Sequence, residues 1–222
     1  MPPLRQQLRQ HAAAEMTQDS AHDLAHLDRV WENAQRIAAT VPDAETTALL
    51  AASYLHDLIN LPKDDPERHM ASRRSALAAT PFMHHLNLTP AQIKIAQHAI
   101  EAHSFSAGIP PQSPEAEILR DADRLDALGA IGIARWFSVS GGLNRPIHDG
   151  GDPFAQSRTL DDQSFSLDHW RVKLQGLADG MLTQAGKHLA AERLGAMEVF
   201  LQQLADELGR DLPADWKTMV DD

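Results

Sequence analysis

The amino-acid sequence predicts an all-α fold, and two observations support this. Apolar residues recur at three- and four-residue steps along most of the 222-residue chain, the spacing of one helix face. No stretch of useful length alternates apolar and polar residues as a half-buried strand does. The sequence contains no cysteine, which excludes a disulfide scaffold, a thiolate-ligated zinc site and a thiol nucleophile.

The N-terminal half is predicted to form helices with identifiable ends. Residues 26–38 carry apolar side chains at helical spacing, and the pattern stops before Pro42. Residues 44–59 are rich in Ala and Leu and predict a second helix. Thr89 and Pro90 predict the N-cap and first residue of the helix that follows them, because a proline at the first helical position loses no intrahelical hydrogen bond.

The C-terminal half is predicted to contain one long helix, an irregular stretch and two further helices. A Pro-rich loop at 104–114 precedes the long helix, which we expect over about 115–137. Residues 138–165 contain Gly-Gly pairs, prolines and several aspartates, and are the least regular part. Helical spacing returns over 167–182 and 187–208.

Charge and hydropathy narrow the classes of partner. The chain has 20 Lys and Arg against 31 Asp and Glu, a net charge of −11, so it lacks the basic footprint of proteins that bind DNA or anionic membranes. No window reaches the ~18 apolar residues of a membrane span, and the N-terminus lacks the apolar core of a secretory signal. We therefore expect a soluble, cytoplasmic protein without a membrane or stable nucleic-acid partner; a homo-oligomer is compatible with the sequence.

Histidines are the compositional feature that points to chemistry. Eight of the twelve lie between residues 22 and 103. His56 and Asp57 are adjacent in an otherwise apolar predicted helix, where a buried carboxylate needs a partner or a cation. Helix neighbours are ~100° apart, so both side chains can lean toward one point. His22 and His26 are four residues apart and share one face of a predicted helix. Asp19 or Ser20 is expected to cap the N-terminus of that helix.

A cluster of three carboxylates follows in the long predicted helix, at Asp121, Asp123 and Asp126. Asp123 and Asp126 share a face, whereas Asp121 lies ~200° from Asp123, so Asp121 and Asp123 cannot both ligate one ion. Helical projection does not choose between these two. A purely structural alternative is that Arg124 compensates the cluster.

These three elements resemble the HD-domain metal-dependent phosphohydrolase superfamily. Its pattern is a His on a first helix, then a His-Asp pair, then a distant Asp on a later helix. The matching residues here are His26, His56, Asp57 and Asp123. It is the resemblance that favours His26 over His22 and Asp123 over Asp121.

A closer similarity is to a small subgroup of stand-alone bacterial HD phosphohydrolases. The matching segments are HAIEAHSFSAG at 98–108, DADRLDALGAIGIAR at 121–135 and GDPF at 151–154. The resemblance implies an HD-domain helical bundle with a C-terminal helical extension, forming a single domain over 1–222. Its metal-binding core is expected over about 20–137, with an irregular loop and the C-terminal helices over 138–222.

The resemblance implies a metal-dependent hydrolase with His56 and Asp57 as its catalytic residues. A divalent ion, Mn²⁺ or Mg²⁺ first and Fe, Ni or Zn as alternatives, would be held by the four matching residues and would activate a water. The expected substrate is a small phosphoester, in particular a nucleotide, and nucleotide pyrophosphohydrolase activity occurs among relatives. Fold similarity does not fix the substrate.

Four further residues are candidates for substrate binding. They are Lys63, Arg68, His98 and His103. Some HD families place a catalytic Glu three or four residues beyond the His-Asp pair, where this chain has Asn60 and Leu61, so that general base is missing here.

Two alternative functions share the fold. One is a non-catalytic HD-fold ligand sensor with a structural metal site, which loss of a ligand position would favour. The other is an HD-type di-iron oxygenase, which needs additional His ligands for a second metal. His84 and His85 are predicted to lie in a surface loop, which weighs against the oxygenase.

Overall fold

The computed structural model describes residues 2–16, 23–61 and 65–218. Over these ranges the secondary structure is helical and contains no strand, so the all-α prediction is confirmed. None of the described helices is long and apolar enough to cross a membrane. The α-helices are α1 (Leu4–Glu15), α2 (Leu24–Ala38), α3 (Thr46–Leu55), α4 (Ala71–His85), α5 (Pro90–His103), α6 (Pro114–Leu125), α7 (Gly129–Gly142) and α8 (Gln184–Glu207).

The chain divides into two compact units, Met1–Asp123 and Arg124–Asp222. The division falls in the last turn of α6. The sequence instead suggests that the metal-binding core extends to about residue 137. The first unit contains every residue expected to ligate a metal. The second contains α7, a loop region held by carboxylates, and α8.

Helix α3 is the central helix of the first unit. It contacts α1, α2, α4 and α5, and its residues from Ala48 to Leu55 are buried except Leu50. A helix that is apolar on all sides must be covered on all sides. The residues that directly follow α3 therefore lie at the edge of the core.

A buried polar network joins the first three helices of this unit. The Tyr54 hydroxyl accepts a hydrogen bond from Arg5 Nε and donates one to Asp28 Oδ1, both at 2.7 Å. Burial and the bond to Asp28 raise the pKa of Tyr54 to about 12, the Arg5 bond opposing them. Because each partner comes from a different helix, the network fixes α1 and α2 against α3.

The prediction that the helix of residues 44–59 continues to Ile59 is wrong. Helix α3 ends at Leu55, and His56 caps it with helical dihedral angles, φ −67° and ψ −32°. Asp57 lies in the turn that follows. Hydrophobic spacing did not reveal this end, because the residues beyond it include the buried Leu58 and continue the apolar pattern.

The single long helix predicted over 115–137 is also wrong, because the chain breaks between α6 and α7. Leu128 is extended and Gly129 adopts a positive φ of 73°, a conformation that favours glycine. A Cβ on Gly132 would overlap the carbonyl oxygen of Ala127, so the first turn of α7 passes too close to the break for a side chain.

Two local predictions fared differently at the ends of α4 and α5. His84 and His85 form the last turn of α4 rather than a loop, although both are exposed. The N-terminus of α5 is as predicted: Thr89 caps it in a capping box with Gln92, and Pro90 is its first residue.

In the second unit, the segment 167–182 contains a short π-helix, Trp170–Leu174, and a 3₁₀ helix, Gln175–Gly180.

The close approach at Gly132 can be tested by substitution. We expect Gly132→Ala to lower the free energy of unfolding by about 1–3 kcal/mol, the usual cost of forcing atoms into a packed site. In the same helix, a methyl group added at Gly141 would have no neighbouring atom within 4 Å. Gly141→Ala should therefore raise stability by roughly 0.5–1 kcal/mol. Urea denaturation of both variants is the measurement, and equal effects would contradict the proposed contact.

Candidate metal centre

Helix α2 presents His26 from its first turn. The Asp23 carboxylate caps this helix and accepts a hydrogen bond from the His26 amide at 2.7 Å. The cap is thus Asp23; Asp19, Ser20 and His22 lie outside the described residues. The His26 side chain is only 1 % exposed, so its imidazole reaches inward from the start of the helix.

Four side chains converge in the first unit, from α2, from the turn after α3 and from α6. His26 Nε2 lies 3.5 Å from Asp123 Oδ1 and 3.8 Å from Asp57 Oδ2. His56 Nε2 lies 3.5 Å from Asp57 Oδ2 and 3.9 Å from Asp123 Oδ1. Both carboxylates therefore face the same two imidazole nitrogens.

The spacing of these atoms fits a divalent cation. An ion with metal–ligand distances of about 2.1 Å separates neighbouring donors by roughly 3.0–3.4 Å, slightly less than the separations between these imidazole and carboxylate atoms. His56 Nε2 is fully buried and has no hydrogen-bond partner among the residues that the structure describes. A buried polar atom without a partner is costly, and an ion among these ligands would satisfy it.

The two kinds of ligand differ in exposure. The side chains of His26 and His56 are 1 % and 0 % exposed, whereas those of Asp57 and Asp123 are 17 % and 31 % exposed. The histidines form the floor of the cluster and the carboxylates its rim. A molecule or ion that enters the cluster from solvent would therefore pass the carboxylates first.

Backbone carbonyl groups fix the orientation of two imidazoles. His56 Nδ1 lies 3.0 Å from the carbonyl oxygen of Ser53, and His103 Nδ1 lies 2.6 Å from that of Ile100. A carbonyl can only accept, so each Nδ1 carries a proton and Nε2 faces the cluster. Burial lowers the pKa of His56 to about 4, which leaves a neutral imidazole ready to bind a cation at neutral pH.

His103 adds a fifth side chain to the cluster. Its Nε2 lies 3.6 Å from Asp57 Oδ1, the carboxylate oxygen that does not face His26. Burial opposes protonation of His103, but the Asp57 carboxylate outweighs it and raises the pKa of His103. Burial likewise opposes ionisation of Asp57, yet His56 and His103 hold its pKa well below the usual range.

Asn33 is a residue of this region that sequence reasoning missed. It lies two turns after His26 on α2, is buried, and donates a hydrogen bond from Nδ2 to the carbonyl oxygen of Ala122 at 3.1 Å. Ala122 directly precedes Asp123, so the bond ties the helix of one ligand to the helix of another. In the described ranges, two sets of three side chains lie close enough together to hold an ion: His26, His56 and Asp123, and His56, Asp57 and His103. Asp121, the alternative on the same helix, belongs to neither set.

The expected substrate-binding residues occupy different environments. His103 is in the cluster, whereas His98 Nε2 accepts a hydrogen bond from the Gln112 amide at 2.8 Å. Arg68 lies in a short 3₁₀ helix and donates to the carbonyl oxygen of Leu61. Lys63 lies outside the described residues.

Substitution of a buried imidazole tests the metal site. We expect His56→Ala to weaken Mn²⁺ binding by more than the roughly 10–100-fold that loss of an outer hydrogen-bond partner causes, because it removes a ligand. Isothermal titration calorimetry of the purified chain measures this. His84→Ala, which removes an exposed histidine, is the matched control. Equal affinity in the two variants would contradict the assignment.

Comparison with known proteins agrees with this geometry. The HD domain model matches residues 23–128, a range that includes all five clustered residues. The protein YpgQ of Bacillus subtilis is 29 % identical over 198 residues, which cover 86 % of each chain.

Solved structures resemble the chain over nearly its whole length. A Lactobacillus plantarum protein is 30 % identical, with 94 % of this chain and 99 % of that chain covered and a TM-score of 0.69. An HD-superfamily hydrolase of Bacillus thuringiensis is 27 % identical, with 92 % and 96 % covered and a TM-score of 0.71. Crystalline YpgQ in complex with ADP is 26 % identical, with 95 % of each covered and a TM-score of 0.68. The HD domain match and the resemblance to an HD-superfamily hydrolase show that the chain belongs to the HD-domain family.

Proposed function

We propose that this chain is a metal-dependent phosphohydrolase that acts on a nucleotide. The observation that carries the proposal is the buried cluster in which two carboxylates face the same two imidazole nitrogens. One of these nitrogens, His56 Nε2, has no hydrogen-bond partner in the described part of the chain. The resemblance to an HD-superfamily hydrolase supports the reaction class. The ADP bound by YpgQ supports a nucleotide as substrate.

The ligands proposed for the ion are His26, His56, Asp57 and Asp123. Two neutral imidazoles and two carboxylates carry a charge of −2, which a divalent ion balances. This mixed nitrogen and oxygen set suits Mn²⁺ or Mg²⁺, with Fe, Ni and Zn as further candidates. A bound divalent ion would supply Lewis-acid polarisation of a phosphoryl oxygen and activation of a water.

The surrounding side chains have separate roles in this proposal. His56 and Asp57 hold the reacting centre and are the catalytic residues proposed here. His103 Nε2 lies beside Asp57 Oδ1; in the protonated imidazole it can donate a hydrogen bond to that carboxylate or to a phosphoryl oxygen. Arg68 and Lys63 follow the His-Asp pair in sequence and are proposed to bind the outer phosphates.

Phe105 is a candidate contact for the nucleobase. It follows His103 by two residues, in the short 3₁₀ helix Phe105–Ala107, and it is 83 % exposed. An exposed phenyl ring this close to a polar cluster offers a face on which a base can stack. Ser104 and Ser106 hydroxyls, 3.0 Å apart, hold the turn on either side of it.

Hydrolysis is the direct test. We expect the purified chain with Mn²⁺ or Mg²⁺ to release phosphate or pyrophosphate from at least one of the nucleoside mono-, di- and triphosphates. His56→Ala should release none above the rate without enzyme, because it lacks a ligand. Ion chromatography of the products distinguishes phosphate from pyrophosphate. A metal-loaded chain inactive on the whole panel would instead favour a ligand sensor, and two irons per chain an oxygenase.

Removal of the phenyl ring tests recognition of the base. Stacking on an aromatic side chain is worth about 1–3 kcal/mol per base, or roughly 5- to 150-fold in affinity. Phe105→Ala should raise KM for the nucleotide by such a factor and leave KM for inorganic tripolyphosphate unchanged. Leu77→Ala, which shortens another exposed apolar side chain, 75 % exposed, is the control. A parallel rise for both substrates would show that Phe105 does not contact the base.

A further inference from the structure

The turn that carries Asp57 is held from outside by a serine of α4. The Ser75 hydroxyl accepts a hydrogen bond from the Ile59 amide at 3.0 Å and donates one to the Ile59 carbonyl oxygen at 3.2 Å. Helix α3 has already ended at Leu55. The hydroxyl thus takes up both polar groups of a residue beyond the end of that helix.

Ser75 has no exposure to solvent, so its hydroxyl bonds within the protein rather than to bulk water. A hydroxyl has one proton to donate and lone pairs that accept, and both capacities are used on the same residue. Removal of this group would leave a partly buried amide and carbonyl without these bonds, which is costly. The position of Ile59 therefore depends on Ser75.

The ligand pair is anchored on both sides. On the N-terminal side, the Ser53 carbonyl oxygen holds His56 through Nδ1 at 3.0 Å. On the C-terminal side, Ser75 holds Ile59, only two residues after Asp57. With both anchors in place, the Asp57 carboxylate is kept 3.5 Å from His56 Nε2.

We propose that Ser75 is a positioning residue of the metal centre, which it serves by fixing the direction of the Asp57 carboxylate. The inference rests on the metal binding in the proposed function, since the ion is what Asp57 is aimed at. Ser75 contacts neither the ion ligands nor substrate; it acts through the backbone of the turn. Hydrogen-bond partners behind metal ligands typically change affinity by 10–100-fold.

The experiment measures metal binding by the full chain, without any enzymatic assay. Ser75→Ala should weaken Mn²⁺ binding by about 10-fold or more, as measured by calorimetry or competition with a chelating dye. The visible spectrum of the Co²⁺-loaded variant should also differ from that of the unsubstituted chain, because ligand geometry sets that spectrum. Should Ser75→Ala fail to fold, Ser75→Cys replaces it, since a thiol bonds weakly; a smaller loss in the same direction is expected.

Thr80→Val is the matched control on the same helix. Its hydroxyl also has both roles, donating to the Ala76 carbonyl oxygen at 2.8 Å and accepting from Gln97 Nε2 at 2.7 Å, but it holds no part of the ligand turn. Thr80→Val should lose stability and keep both Mn²⁺ affinity and the Co²⁺ spectrum.

The outcomes separate the two proposals. If the unsubstituted chain binds Mn²⁺ and Ser75→Ala binds it equally well, the positioning role is wrong and the proposed function is unaffected. If the chain binds Mn²⁺ and Ser75→Ala weakens it, but no phosphoester is hydrolysed, only the proposed function fails. Absence of metal binding in the unsubstituted chain overturns both.

Discussion

One electrostatic constraint dominates the first unit. Two imidazoles and two carboxylates lie together at the edge of an apolar core, an arrangement that costs free energy. Paired carboxylates in such a place repel each other, and their burial is unfavourable unless a cation or hydrogen-bond donors compensate it. His56 and His103 beside Asp57 supply part of this compensation, and together they hold the pKa of Asp57 below its usual range. The remaining negative charge favours a bound cation, in agreement with the metal site proposed above.

The clustered side chains come from α2, from the turn after α3 and from α6, so their geometry depends on tertiary hydrogen bonds rather than on any one helix. Asn33 joins α2 to the backbone of α6 just before Asp123, and Ser75 joins α4 to the turn just after Asp57. Both bonds are made to backbone groups within two residues of a clustered carboxylate. These bonds position the backbone and do not use the side-chain atoms of the cluster. Those atoms therefore stay available for the proposed ion.

The sequence predicted most of the helices and the residue types of the cluster, but not every point at which a helix ends. Apolar spacing predicted α2 and α5 well, since caps and amphipathic faces are local signals. It missed the end of α3 at Leu55 and the break before Gly129, because both are set by packing that the pattern does not encode. Helical projection alone left Asp121 and Asp123 equivalent; the family resemblance favoured Asp123, which the structure places beside His26. The roles of Ser75 and Asn33 had no sequence signal, since a serine or asparagine on a helix is ordinary until its partner is known.

The exposure of the cluster has a consequence for recognition of an anion. The chain as a whole carries a net charge of −11, so long-range electrostatics repel a phosphate rather than attract it. The rim of the cluster, formed by Asp57 and Asp123, repels it as well while no cation is bound. Under the proposed function, a divalent ion would cancel the charge of these two carboxylates and remove this repulsion. The ion would then bind before the phosphorylated substrate, because the cluster without it repels the anion.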